Sequence, residues 1–151
     1  MSDLGTIVDA TTVRFERLLP GPVERVWAYL TESQRLATWL GAGTIDLRAG
    51  GEVCFELIDH PRALGNVVRC EPPRVLSYTW SGESVVTFAL EPRGGWVLLT
   101  FTHEHLPVDD LNRIAAGWHA LLAGLAAHLN GEEPRPSMAV FDEVRASYGA
   151  A

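Results

Sequence analysis

Apolar side chains recur at every second position between residues 52 and 105, and at every third and fourth position between residues 111 and 129. Period two marks strands whose two faces meet different surroundings, and a period near 3.6 marks a helix with one apolar stripe. A half-apolar sheet and a one-striped helix bury those surfaces by packing against each other. The chain therefore reads as an α+β domain in which a curved antiparallel sheet of about seven strands wraps a long C-terminal helix.

The pattern is specific residue by residue. Val53, Phe55 and Leu57 face one way while Glu52, Cys54 and Glu56 face the other. Leu76, Tyr78 and Trp80 fall together, as do Val86, Phe88 and Leu90, and then Leu99, Phe101 and His103. Between these runs lie Asp59-His60-Pro61-Arg62, Glu71-Pro72-Pro73, Ser81-Gly82-Glu83 and Pro92-Arg93-Gly94-Gly95. Such short turns join antiparallel neighbours, because a parallel crossover needs a dozen residues or more. The helical stripe consists of Leu111, Ile114, Ala115, Trp118, Leu121, Leu122, Leu125 and Leu129. Asp109 and Asp110 favour its N-terminus, and Asn130-Gly131 ends it. At 1.5 Å per residue it spans about 30 Å. Gly117 and Gly124 weaken it, which leads to the expectation that they let the helix approach the sheet closely.

The first third of the chain shows both periods in short runs. Residues 11–19 read as a strand with Val13, Phe15 and Arg17 on one face. Pro22 suits the first position of a helix carrying Val23, Val26, Trp27 and Leu30. Thr31-Glu32-Ser33-Gln34 fits a capping box for a second short helix with Leu36, Trp39 and Leu40 inward, ended by Gly41-Ala42-Gly43. Residues 45–48 read as a short strand and Ala49-Gly50-Gly51 as its turn. After Pro134-Arg135-Pro136, residues 138–148 read as a peripheral helix. All 151 residues fit one domain, with a core over 11–131 and an extension over 132–151.

Composition removes several functions. A net charge of −7 opposes binding to nucleic acid phosphates and to anionic membrane surfaces. No apolar run approaches the ~18 residues of a membrane span. All twelve cations are Arg, so Schiff-base chemistry and a phosphate-loop lysine are both excluded. The segment over residues 41–51 is accordingly turn chemistry, not a phosphate loop. Cys54 and Cys70 are far apart in sequence and read as two small packed side chains. Met1-Ser2-Asp3-Leu4-Gly5 has no basic flank of the secretory type, which gives a cytoplasmic expectation.

The order of strand, two short helices, six strands and long helix resembles the helix-grip fold of the START/Bet v 1-like (SRPBCC) superfamily. Pro22-Val23-Glu24-Arg25-Val26-Trp27, Thr31 and Trp39-Leu40 resemble the opening of bacterial proteins related to the C-terminal domain of the Hsp90 ATPase activator. Gly50-Gly51, Glu71-Pro72-Pro73-Arg74-Val75-Leu76, Tyr78-Thr79-Trp80, Val86-Thr87-Phe88, Thr100-Phe101-Thr102-His103 and Gly117-Trp118 follow in that family's order. The resemblance implies a cavity between sheet and helix and does not by itself fix an activity. The eukaryotic activator engages its chaperone through a separate N-terminal domain, and no stretch of this sequence is long enough to be one. Chaperone stimulation is therefore not expected.

Candidate cavity residues are Trp39, Phe55, Leu57, Tyr78, Trp80, Val86, Phe88, Leu99, Phe101, His103, Trp118, Leu121 and Leu122, with Trp27 a further aromatic. Aromatic side chains suit such a pocket because they bury large areas with few rotors. His103 faces inward between apolar neighbours, as a polar anchor for a ligand oxygen, as a general base, or as a histidine satisfied by the protein itself. His103 and His105 share a face if the strand continues, but no third metal ligand has suitable spacing. His119 and His128, nine residues apart, lie on opposite sides of the helix, with His119 toward solvent. Glu52 and Glu56 alternate outward, against a paired-carboxylate site. The leading expectation is a cavity for a small hydrophobic ligand, lipid-like or aromatic, without cofactor or metal. An enzyme of cyclase, dehydratase or hydrolase type acting in the same cavity is one alternative. A protein-interaction module related to Hsp90 co-chaperones, with an apolar patch outside the sheet or along the C-terminal segment, is another, and an outer face or edge strand leaves a homodimer open.

Overall fold

Alternation becomes sheet strand by strand. The computed structural model describes residues 5–9, 11–56, 63–80, 82–107 and 111–148. Its strands are β1 (Thr6–Asp9), β2 (Thr12–Pro20), β3 (Ala42–Ile45), β4 (Glu52–Glu56), β5 (Ala63–Glu71), β6 (Val75–Thr79), β7 (Val85–Arg93) and β8 (Trp96–Glu104). They form one open antiparallel sheet in the order β1-β2-β8-β7-β6-β5-β4-β3. The meander from β3 to β8 is thus extended by the N-terminal pair, with β2 against β8. Between β2 and β3 lie α1 (Val23–Thr31) and α2 (Ser33–Trp39). The long helix α3 (Leu111–Leu129) follows the sheet, then α4 (Ser137–Val144) and a 3-10 turn over Arg145–Tyr148.

Register aligns the inward side chains in rows. Phe15, Phe101, Phe88 and Leu76 face one another across β2, β8, β7 and β6. The adjacent row is Val13, His103, Val86, Tyr78 and Val67. These residues are all buried, and α3 lays Leu111, Ala115, Trp118, Leu122, Leu125 and Leu129 over the same face. Arg17 also points inward, 9% exposed, with its guanidinium 5.3 Å from the Phe15 ring centre. The C-terminal end of α3 is held from outside. The Arg25 guanidinium donates to the Leu129 carbonyl, and His128 bonds the Thr38 carbonyl, tying α3 to α2.

Several local expectations are corrected. An eighth strand, β1, is present; its residues are all exposed, so no burial alternation announces it. Pro22 caps α1 from outside the helix. No capping box forms, because the Thr31 hydroxyl donates to the Trp27 carbonyl and Glu32 takes the cap position without a side-chain bond. The strand expected over 45–48 lies earlier, at Ala42–Ile45. The reversal begins at Asp46, whose carbonyl oxygen would stand 2.0 Å from a Cβ on Gly51. Gly43, expected to end a helix, is instead in β3 opposite Phe55, where no side chain fits. His119 is half-buried and presents its ring edge-on to Phe15 rather than facing solvent. Leu57, the 59–62 loop, Ser81, Asp109 and Asp110 lie outside the described residues.

The helix glycines also behave differently from expectation. A Cβ on Gly124 would meet Trp39 at an ordinary 3.9 Å, and one on Gly117 would meet nothing within 4 Å. Neither residue is needed for close approach. Gly117→Ala is therefore expected to raise stability by up to ~1 kcal/mol through helix propensity alone. Leu122→Ala, on the opposite, fully buried face, is expected to lower it by about 2–5 kcal/mol. Urea denaturation of both variants checks the contrast.

Candidate functional site

Side chains on the sheet-facing side of α3 are buried in the core, while those on one flank are only partly buried against it and also border open space. Ile114, Gly117 and Leu121 recur at i, i+3 and i+7 along that flank and face an open cavity of about 1150 Å³. The end of α2 and its connection into β3 supply Trp39, Leu40 and Gly41, the β6–β7 connection supplies Trp80 and Ser84, and β8 supplies His103. Leu106 and Pro107 follow β8, and Pro136, Met138 and Phe141 come from the C-terminal segment. Glu56 and Arg113, both exposed, stand at its edge.

Of the sequence candidates, Trp39, Trp80, His103, Trp118 and Leu121 line this cavity. Phe55, Tyr78, Val86, Phe88, Leu99, Phe101 and Leu122 are buried but form no part of its wall. Their neighbours are each other: Phe55 and Phe88 lie 6.1 and 6.2 Å from Tyr78, and Phe88 lies 5.0 Å from Phe101. Leu57 lies outside the described residues. Trp27 is half-buried and likewise absent from the wall. The wall residues that sequence reading missed include Ile114, Gly117, Leu106, Met138 and Phe141. The i, i+3, i+7 spacing at the margin of the helical stripe was the available signal for the first two.

Trp118 organises the polar end of the site. Its ring sits 4.3 Å from Phe101, 5.3 Å from Trp80 and 5.9 Å from His103, centre to centre. Its indole N–H donates to His103 Nδ1 at 2.9 Å. An indole nitrogen donates and does not accept, so Nδ1 must be the bare nitrogen and Nε2 carries the imidazole proton. Nε2 is buried and has no partner among the described residues. His103 is 2% exposed, and burial lowers its pKa from 6.5 to about 4, so the ring is neutral near pH 7. That makes it a hydrogen-bond donor with its basic nitrogen already occupied, which disfavours the general-base role. The Tyr78 hydroxyl is also buried without a partner among the described residues, and burial pushes its pKa up. β8 ends at Glu104, and His105 turns away with a φ of 60°, so the two imidazoles do not share a strand face. Among the described residues no three His, Cys, Asp or Glu side chains cluster as metal ligands. No described helix is long and apolar enough to cross a membrane.

The sequence profile of the family described as activator of Hsp90 ATPase homolog 1-like protein matches residues 20–130. The chain belongs to this family. A solution NMR structure of a Bordetella parapertussis protein is 36% identical, with a TM-score of 0.79 over 98% of this chain and 90% of that one. The crystal structure of CalU16 from Micromonospora echinospora is 25% identical, with a TM-score of 0.77 over 97% and 92%. The Aha1 dimer from Colwellia psychrerythraea, at 18% identity, shares the fold, with a TM-score of 0.67 over 78% and 95%. A search of curated proteins finds no match. Helix-grip folds of this SRPBCC class typically bind hydrophobic ligands.

The buried imidazole has a measurable consequence for stability. Between pH 6.5 and about 4 the unfolded chain protonates this histidine and the folded chain does not. Stability from this group is therefore fully present above pH 6.5 and falls with pH by about 1.4 kcal/mol per unit across that window. Below pH 4 both states bind the proton and the slope ends. The difference between wild type and His103→Gln in urea titrations at a series of pH values is expected to show this slope. Imidazole NMR is expected to find the ring neutral at pH 5.

Proposed function

We propose that this protein binds a small hydrophobic ligand, aromatic or lipid-like, in the cavity beside α3. The carrying observation is the wall itself: three indoles, Trp39, Trp80 and Trp118, with Leu106, Ile114, Leu121 and Phe141. Two of the three indole N–H groups are committed to the protein, Trp39 to the Tyr29 carbonyl and Trp118 to His103. Those rings offer carbon faces to an occupant. Ligand sites commonly measure about 300–1,000 Å³, so the space suits a multi-ring or long-chain molecule. The assignment to binding rather than catalysis is supported by the state of His103. It holds its proton on Nε2, and the other ionisable groups of the described wall, Glu56 and Arg113, are exposed.

Native mass spectrometry of freshly purified protein and thermal shift against fatty acids, sterols and polycyclic aromatics test this reading. Binding at a hundredfold excess over Kd stabilises the fold by about 2.7 kcal/mol, well within detection. Gly117→Leu places a side chain in open space on the cavity flank. It is expected to keep the melting temperature of the free protein while weakening ligand binding at least tenfold. A variant that binds as tightly as wild type contradicts the location.

A second reading, self-association through the outer face of the sheet, has one observation in its favour. Leu18 and Trp96 are 54% and 49% exposed, and Leu98, the register partner of Leu18, lies between them on β8. This apolar strip lies outside the cavity, and the fold occurs as a dimer in the Colwellia protein. Sedimentation of wild type and Leu18→Glu decides it. A dimer that the substitution dissociates supports the contact, and a monomeric wild type removes it.

A further inference from the structure

The polar chemistry of the cavity wall is one-sided. Thr38 and Ser84 carry its two described hydroxyls, and both direct their protons to backbone carbonyls, those of Arg35 and Trp80. The buried donor left over is His103 Nε2–H, which has no acceptor anywhere among the described residues. Its tautomer is not free to change while Trp118 donates to Nδ1, because an indole has no lone pair to offer a second N–H. Trp118 also fixes the ring's direction, since it stands edge-on to the imidazole at an interplanar angle of 87°.

Taking the cavity-binding reading as its premise, we propose that the ligand carries an uncharged acceptor oxygen, a carbonyl of ketone, quinone or ester type, which accepts the His103 Nε2–H bond. A group that only donates, such as an ammonium or an amide N–H, meets another N–H at this point and is rejected. A carboxylate is also disfavoured. It brings a full charge to a buried wall position where the facing group is a neutral imidazole, and desolvating a charge costs far more than one neutral hydrogen bond returns. Arg113, the one cation among the described wall residues, is exposed at the edge. The surrounding indoles then hold the flat or apolar body of the molecule, with one oxygen anchored at the His103 end.

The matched pair 9-fluorenone and fluorene tests this, since the two differ by one carbonyl oxygen on the same planar frame. Titrations following tryptophan fluorescence are expected to give about ten- to hundredfold tighter binding for fluorenone. In wild-type protein the His103 Nε2–H proton resonance is expected to shift with fluorenone and stay in place with fluorene, a readout that needs no variant. His103→Phe is expected to bring the ratio near one while fluorene still binds. Equal binding of the pair with an unmoved Nε2–H resonance overturns the inference and leaves the cavity reading standing. Fluorene-9-carboxylate binding as tightly as fluorenone overturns the uncharged class. Failure of these probes, and of the fatty acids, sterols and polycyclic aromatics above, to bind at this cavity removes the cavity reading and this inference together.

Discussion

The hydrogen bond from the Trp118 indole to His103 Nδ1 fixes the relation between helix and sheet where it matters for function. Packing of Leu122 and Leu125 places α3 on the sheet, but apolar contact is non-directional and tolerates sliding and rotation. A buried bond between two side chains does not. Breaking it leaves a buried acceptor on one element and a buried donor on the other, each costing about 1–3 kcal/mol. The same bond sets the imidazole tautomer and leaves the buried Nε2–H as the unmatched donor. Fold geometry and site chemistry therefore share one constraint.

The cavity follows from how an open sheet and a single helix divide space. α3 packs on β2 and is flanked by α2 and α4. The eight strands extend well beyond the width of one helix, out to β4 and β3 at the far edge. Between α3 and that edge, the rings of Trp80 and Trp39 and the α2–β3 connection leave volume that no described side chain fills. Gly117 belongs to this arrangement. A glycine that faced the sheet would be a device for close packing, but this one faces space, and its helix-propensity cost leaves the cavity wider by one side chain.

Much of this was legible in the sequence. The period change after residue 105 specified sheet and helix, and the alternation placed Tyr78, Phe88, Phe101 and His103 inward, where the structure has them. What alternation does not encode is the identity of the thing faced. Phe88 and Trp80 both point inward by the same rule, yet Phe88 meets Phe101 and Tyr78 while Trp80 borders open volume. That difference depends on where α3 lies across the sheet, a long-range property with no local signature. β1 was hidden for the converse reason: an exposed edge strand carries no buried face to alternate. The capping box failed because a Thr inside a helical run can satisfy its hydroxyl on the carbonyl four residues back, as Thr31 does with Trp27.

The wall also divides by what holds it. The sheet side is anchored in the core and falls within residues 20–130, which match the family profile. The opposite side, Pro136, Met138 and Phe141, comes from beyond that match. Its Arg135–Glu143 pair joins two exposed side chains, and exposed pairs of this kind contribute little to stability. Burial of Val140, with Phe141 and Val144 half-buried against the core, is what keeps α4 in place. Phe141 thus both anchors the segment and borders the cavity. An occupant that covered Phe141 would add to the burial that holds α4 down.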